Sequence, residues 1–83
     1  MEIKLRLYAT LRNYLPPKTE GGQVILSLPE AATIPDALVV QGVPVGLAHI
    51  VLVNGRHVLR GDLPTRPLVD GDELAVFPAI GGG

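Results

Sequence analysis

Apolar and polar residues alternate at the start of the chain, and longer apolar runs and helix-like spacings follow. Over residues 2–8, Glu2, Lys4, Arg6 and Tyr8 take one side and Ile3, Leu5 and Leu7 the other, as in a strand with one buried face. From Ala9 to Leu15 the apolar positions 11, 14 and 15 have helix-like spacing, and Pro16-Pro17 stops them. Lys18–Gly22 is polar and ends in glycine, a loop. Residues 23–28 alternate again, with Val24, Leu26 and Leu28 inward, so the first two strands are expected to pair antiparallel. Thr33 with Asp36 three residues on forms a capping box, Pro35 suits a first turn, and Gly42 suits the left-handed position after a helix. The spacing predicts a two-turn helix near 34–41 whose apolar side includes Leu38 and the pair Val39-Val40.

The second half reads as three strands. His49–Val53 is nearly continuous apolar sequence, as in a central strand. Asn54-Gly55 is a hairpin signal, and Arg56–Leu59 is the expected return strand. A loop with Pro64 and Pro67 and a tight Asp70-Gly71-Asp72 turn lead to a last strand, Glu73–Phe77. There Leu74 and Val76 face one way, Ala75 and Phe77 the other. The order predicts an α+β domain: a mixed sheet of about five strands with a short helix packed on one face.

Composition narrows the chemistry. The chain of 83 residues is 47% hydrophobic but only 4% aromatic, which implies one domain with an aliphatic core. Net charge is −1 and the basic residues are scattered, which argues against nucleic acid as a partner. With no cysteine there is no disulfide, thiolate metal site or cysteine nucleophile. Met1-Glu2-Ile3-Lys4 carries no apolar signal core, and no unbroken apolar run, Ile50–Val53 included, approaches a membrane span. The expectation is a cytoplasmic protein with no membrane segment.

Most polar residues have ordinary readings. His49 begins an apolar strand and His57 follows the hairpin turn, both at boundaries. Asp70, Asp72 and Glu73 crowd together, but turn chemistry explains them better than a cation site. Arg60-Gly61-Asp62 carries no adhesive meaning without secretion. Phe77, the single Phe, has two readings: it fills a second core face, or it is an exposed docking residue beside the chain's end.

The stretches "YATLRNYLP", "VLVNG" and "LVDGDELAVFPAIGGG" resemble the MoaD/ThiS family of ubiquitin-like sulfur carriers over essentially the whole chain. The resemblance implies a β-grasp fold, with residues 1–78 as the domain and 79–83 as a flexible tail. It further implies that an E1-like enzyme adenylates the last glycine's carboxylate with ATP, that sulfur replaces AMP to give a thiocarboxylate, and that a partner synthase subunit accepts the sulfur. Carried over, Gly83 is the reactive residue, Gly82 its tail neighbour, and Gly81 stands where many relatives have a small residue. Phe77, Tyr8 and Arg12 are the expected partner-binding residues, since the family sets the Y-A-x-L-R stretch near the last strand. Asn13 departs from the Glu common in relatives, and Gly42–Ala48 is not diagnostic.

The chemistry suits these residues. A free carboxylate is a poor electrophile, and a mixed anhydride with AMP gives it a good leaving group. Glycines lack Cβ, so a Gly-Gly-Gly backbone threads a narrow channel at the entropic cost of ordering it. The carrier needs no general base, metal or cofactor of its own. It is therefore expected to be a protein cosubstrate, not an enzyme, comparable to the small subunit of a molybdopterin synthase. Molybdopterin synthesis is favoured over thiamine or other sulfur transfer on the closing stretch. Two other readings stand beside it: a ubiquitin-like modifier joined to lysines of other proteins, and a passive β-grasp interaction module.

Overall fold

The computed structural model describes residues 1–79. Five strands form one mixed sheet: β1 (Glu2–Leu7), β2 (Gln23–Ser27), β3 (Ile50–Val53), β4 (Arg56–His57) and β5 (Glu73–Phe77), in the order β2-β1-β5-β3-β4. One helix, α1 (Ile34–Val40), joins β2 to the second half, and 3-10 helices cover Ala9–Tyr14, Val45–Leu47 and Arg60–Asp62. The fold is the ubiquitin-like β-grasp.

The sheet is organised around β5. It runs parallel to β1, with Leu5 opposite Leu74 and Leu7 opposite Val76, and antiparallel to β3, with Val51 opposite Val76 and Val53 opposite Leu74. All six of these side chains are buried, as are Ile3 and Leu26 farther out. They make the inner face of the sheet. Ile34, Ala37 and Leu38 of α1, at the spacing i, i+3, i+4, complete the same core from above. Full burial of a Leu, Ile or Val contributes roughly 1.5–3 kcal/mol, so this aliphatic layer is the dominant stabilising element.

Helix α1 starts and stops as its sequence dictates. Asp36 accepts a hydrogen bond from the Thr33 N–H at 2.9 Å, the reciprocal arm of a capping box. At the other end Gly42 has φ +79, its N–H donates to the Val39 carbonyl at 3.0 Å, and the Val43 N–H donates to that of Leu38 at 2.8 Å. That pair of bonds is a Schellman motif, and it satisfies carbonyls the helix itself leaves open.

Two expectations are corrected. Val39 and Val40 do not join the apolar side of the helix: they are 69% and 59% exposed. Each residue turns about 100° around the axis, so once Ile34, Ala37 and Leu38 face the sheet, the next two positions point away. The return strand ends at His57, not Leu59. One further bond, Val58 N–H to Val51 carbonyl at 2.9 Å, continues the pairing. The chain then folds into the Arg60–Asp62 turn, where the Arg60 guanidinium donates to the Ala48 carbonyl at 2.9 Å.

Candidate functional site

The outer face of the sheet carries the residues that alternation turned away from the core. Along β1 these are Lys4 and Arg6, along β5 Glu73 and Ala75, and along β3 Ile50 and Leu52. Its β2–β1 side is polar. The Arg6 guanidinium donates to the Gln23 side-chain oxygen at 2.6 Å, and Lys4 lies 3.7 Å from Glu73 in an exposed pair. An exposed pair of this kind contributes little to stability. Toward the ends of β1 and β5 the face becomes apolar.

There the register builds an aromatic pair. Leu7 stands opposite Val76, and one residue farther the Tyr8 N–H donates to the Val76 carbonyl at 3.2 Å. Tyr8 and Phe77 are thereby held side by side, with ring centroids 4.1 Å apart and planes at 22°. On the other side Ile50 pairs with Phe77, and the His49 N–H donates to the Phe77 carbonyl at 2.9 Å. Phe77 is half-buried and shares its face with Ala75, so the core reading is set aside: its ring lies on the outer surface.

These residues line an open groove of about 530 Å³, bounded by Tyr8, Ala9, Thr10, Ile50, Phe77 and Pro78, with Ala79 at the point where the described chain ends. Ala9 holds φ +52, a left-handed value costly for a residue with a Cβ, and this bend turns the chain out of β1 directly beside the Tyr8 ring. Among the described residues, the polar side-chain groups lining the groove are the hydroxyls of Tyr8 and Thr10, and no acid, histidine or amine lines it. Its chemistry is that of apolar contact, with a tyrosine hydroxyl at its margin and β5 pinned on both edges up to Phe77.

The structure brings Tyr8 and Phe77 together and leaves Arg12 apart from them. Arg12 is exposed on the 3-10 helix, where it lines a different cleft with Pro16, Pro17 and Lys18. A Cβ built at Gly22 would come within 3.2 Å of its Nε. Gly81, Gly82 and Gly83 lie outside the described residues. Sequence reasoning missed Ile50, Ala9 and Pro78. Ile50 was legible in principle, because it alternates with the inward Val51 and Val53. His49 and His57 are exposed, and among the described residues no group of three or more His, Cys, Asp or Glu could hold a metal ion. Asp70 serves the fold, accepting the Glu2 N–H at 2.7 Å. Among the described residues no helix is long and apolar enough to cross a membrane.

Comparison with known proteins agrees with this architecture. The family described as Mut7-C ubiquitin matches residues 1–81. Small archaeal modifier protein 3 of Haloferax volcanii is 33% identical, with all of both chains covered. The solution structure of the Haloferax volcanii HVO 2177 protein superposes with a TM-score of 0.74 at 30% identity, covering 100% of this chain and 87% of that one. A Pyrococcus furiosus chain described as a molybdopterin converting factor subunit 1 shares the fold, with a TM-score of 0.69 at 22% identity over 95% of this chain and 98% of its own. The match over residues 1–81 and the 33% identical relative place the chain in the Mut7-C ubiquitin family, with the ubiquitin-like β-grasp fold it shares with the molybdopterin-converting-factor neighbour.

Proposed function

We propose that this protein is a sulfur carrier whose carboxyl-terminal Gly83 is adenylated by an E1-like enzyme, converted to a thiocarboxylate, and used as a sulfur donor by an accepting enzyme. The observation that carries the reading is the groove of Tyr8, Ile50 and Phe77, built where β5 gives way to the segment that leads to the glycines. An activating enzyme must hold a folded body while it works on an extended tail. An apolar, pre-formed surface at the tail's exit supplies that hold without further ordering. From Phe77 six residues remain to Gly83. Fully extended they reach about 20 Å, which sets how deep a partner's active site can lie below the docking surface.

In the first step the Gly83 carboxylate oxygen attacks the α-phosphorus of ATP bound by the partner, and pyrophosphate leaves. In the second, a sulfur nucleophile of the partner's relay attacks the acyl carbon and AMP leaves with the bonding electron pair. Where that nucleophile is the outer sulfur of a cysteine persulfide, the product is an acyl disulfide; a second thiol then attacks the cysteine sulfur, a new disulfide forms between the two, and the Gly83 thiocarboxylate leaves with the electron pair of the broken S–S bond. The carrier supplies only its terminus and its surface, acting as a cosubstrate and not as a catalyst. The stretch LVDGDELAVFPAIGGG favours molybdopterin synthesis as the destination, with the carrier as the small subunit beside a larger acceptor.

A second reading has an observation of its own. The 33% identical relative is named as a modifier, which favours an activated tail joined to lysines of other proteins. Both readings share the adenylate and part at the product. Mass spectrometry of the chain from its own cells separates them. Sulfur in place of oxygen at Gly83 supports the carrier, and isopeptide-linked partners support the modifier. A chain bearing neither, under conditions where cofactor synthesis proceeds, overturns both.

A further inference from the structure

Strand β2 is an edge of the sheet, and half of its backbone groups face outward. The alternation is fixed at both ends of the ladder. The Leu28 N–H donates to the Met1 carbonyl at 2.8 Å, and the Leu7 N–H donates to the Gly22 carbonyl at 2.9 Å. Even-numbered residues of β2 therefore bond to β1, and Gln23, Ile25 and Ser27 turn their N–H and C=O groups to the open side. An edge is normally closed by proline, lysine or a bulge. The sequence QVILS has neither residue, its register runs unbroken from Gln23 to Ser27, and Ile25 is 55% exposed.

Beside this edge lies an apolar groove on the helix side of the sheet, away from Tyr8 and Phe77. It measures about 440 Å³ and runs between the chain leaving β2, at Leu28 and Pro29, and the exposed side of α1, at Val39 and Val40. Glu30 and Asp36 line it, and no basic residue does.

We propose that the β2 edge and this groove form a second docking site, which takes an extended segment of a partner protein with aliphatic side chains flanked by lysine or arginine. The outward groups of Gln23, Ile25 and Ser27 pair with the incoming backbone. Its aliphatic side chains cover Val39 and Val40, and its flanking cations meet Glu30 and Asp36. Charge disfavours a second copy of this chain as the occupant. Its own edge segment, QVILS, brings no lysine or arginine to meet Glu30 and Asp36. The site does not depend on the tail chemistry.

The test uses the full chain, labelled with nitrogen-15, and a capped peptide Lys-Ile-Val-Ile-Lys. On titration, amide shifts concentrate at Ile25, Ser27, Val39 and Val40, and exchange of the Ile25 and Ser27 amides slows at least tenfold. The peptide with glutamate in place of each lysine binds at least tenfold more weakly. Ile25→Pro removes one outward N–H, leaves the β1 bonds in place and weakens binding at least tenfold. Val39→Lys, at an exposed helix position, does the same without touching the sheet. The proposal is overturned by shifts centred on Tyr8 and Phe77 or spread over the surface, or by equal affinity for the acidic peptide. It is also overturned by a dimer in sedimentation that Ile25→Pro dissociates.

Discussion

Asn54 and Asp72 lock the β3–β4 hairpin to the turn that starts β5. The Asn54 side-chain amide donates to one Asp72 carboxylate oxygen at 2.8 Å, and its carbonyl accepts the Glu73 N–H at 2.9 Å. The other Asp72 oxygen accepts the Val69 N–H at 2.9 Å. Asp72 is only 6% exposed, so both partners depend on it. Asp72→Ala is expected to cost about 2–3 kcal/mol in a denaturant melt, because it removes a buried carboxylate that accepts two hydrogen bonds, from the Asn54 amide and from the Val69 N–H. Asn54→Gly keeps the left-handed turn and is expected to cost less, about 1 kcal/mol.

Phe77→Ala separates surface from core. The ring lies on the outer face against Tyr8, so the stability loss is expected at about 1 kcal/mol, near the value of an aromatic pair, not the 3–5 kcal/mol of a truncated core Phe. Affinity for the activating enzyme is expected to fall by about 1–3 kcal/mol. A double-mutant cycle with Tyr8→Ala should show a coupling of about 1 kcal/mol. A melt showing a core-sized loss with normal binding by the folded fraction contradicts the docking role.

The two turn glycines make a graded pair. Gly42 has φ +79 and open space around the place of a Cβ, so Gly42→Ala is expected to cost only the left-handed conformation, about 1–2 kcal/mol. Gly22 has φ +68 and a Cβ there would lie 3.3 Å from the Leu7 carbonyl oxygen and 3.2 Å from Arg12 Nε. Gly22→Ala is expected to lose more than Gly42→Ala. Equal losses would show that the β1–β2 connection yields freely.

On helix α1, Leu38→Ala is expected to cost about 2–5 kcal/mol, and Val39→Ala within about 0.5 kcal/mol of zero, although the residues are neighbours. Leu38 is fully buried and Val39 is 69% exposed. Thermal or urea unfolding of the two variants checks it.

If Gly83 is the acyl site, its carboxylate must stand last. Adding one residue after Gly83, or deleting Gly82 and Gly83, is expected to abolish ATP-dependent adenylation by the cognate enzyme without changing the melting curve. An extended chain that is still adenylated removes the carrier and modifier readings alike.

Much of the fold was legible because its signals are local. Alternation marks β1, β2 and β5, the Thr33–Asp36 capping box marks the start of α1, and Asn54-Gly55, at φ +51 and +82, marks the hairpin. What escaped depends on contacts far apart in sequence. The apolar pair Val39-Val40 reads like core until the placement of Ile34 and Leu38 fixes which side of the helix is left out. The groove needs Tyr8, Ile50 and Phe77 together, and only the register of β5 between β1 and β3 makes them neighbours. Arg12 shows the reverse. Four residues from Tyr8 in sequence, it is carried away because the three-residue turn directs Leu11 into the core and Arg12 onward toward Gly22.

The parallel seam between β1 and β5 joins Leu7 to Val76 across nearly the whole chain. A domain whose first and last strands meet at its centre cannot close its core by local steps, so it is expected to fold on the millisecond-to-second scale of non-local topologies. The same seam makes completeness a condition for recognition. A nascent chain lacking residues 73–77 has no centre to its sheet, no link between the β2–β1 and β3–β4 pairs and no aromatic pair. It leaves Leu5, Leu7 and Val51 uncovered, a surface that chaperones and proteases read. The docking groove thus arises only with the last strand, so an activating enzyme that reads Tyr8 against Phe77 inspects, in one contact, whether synthesis has reached the end of the fold.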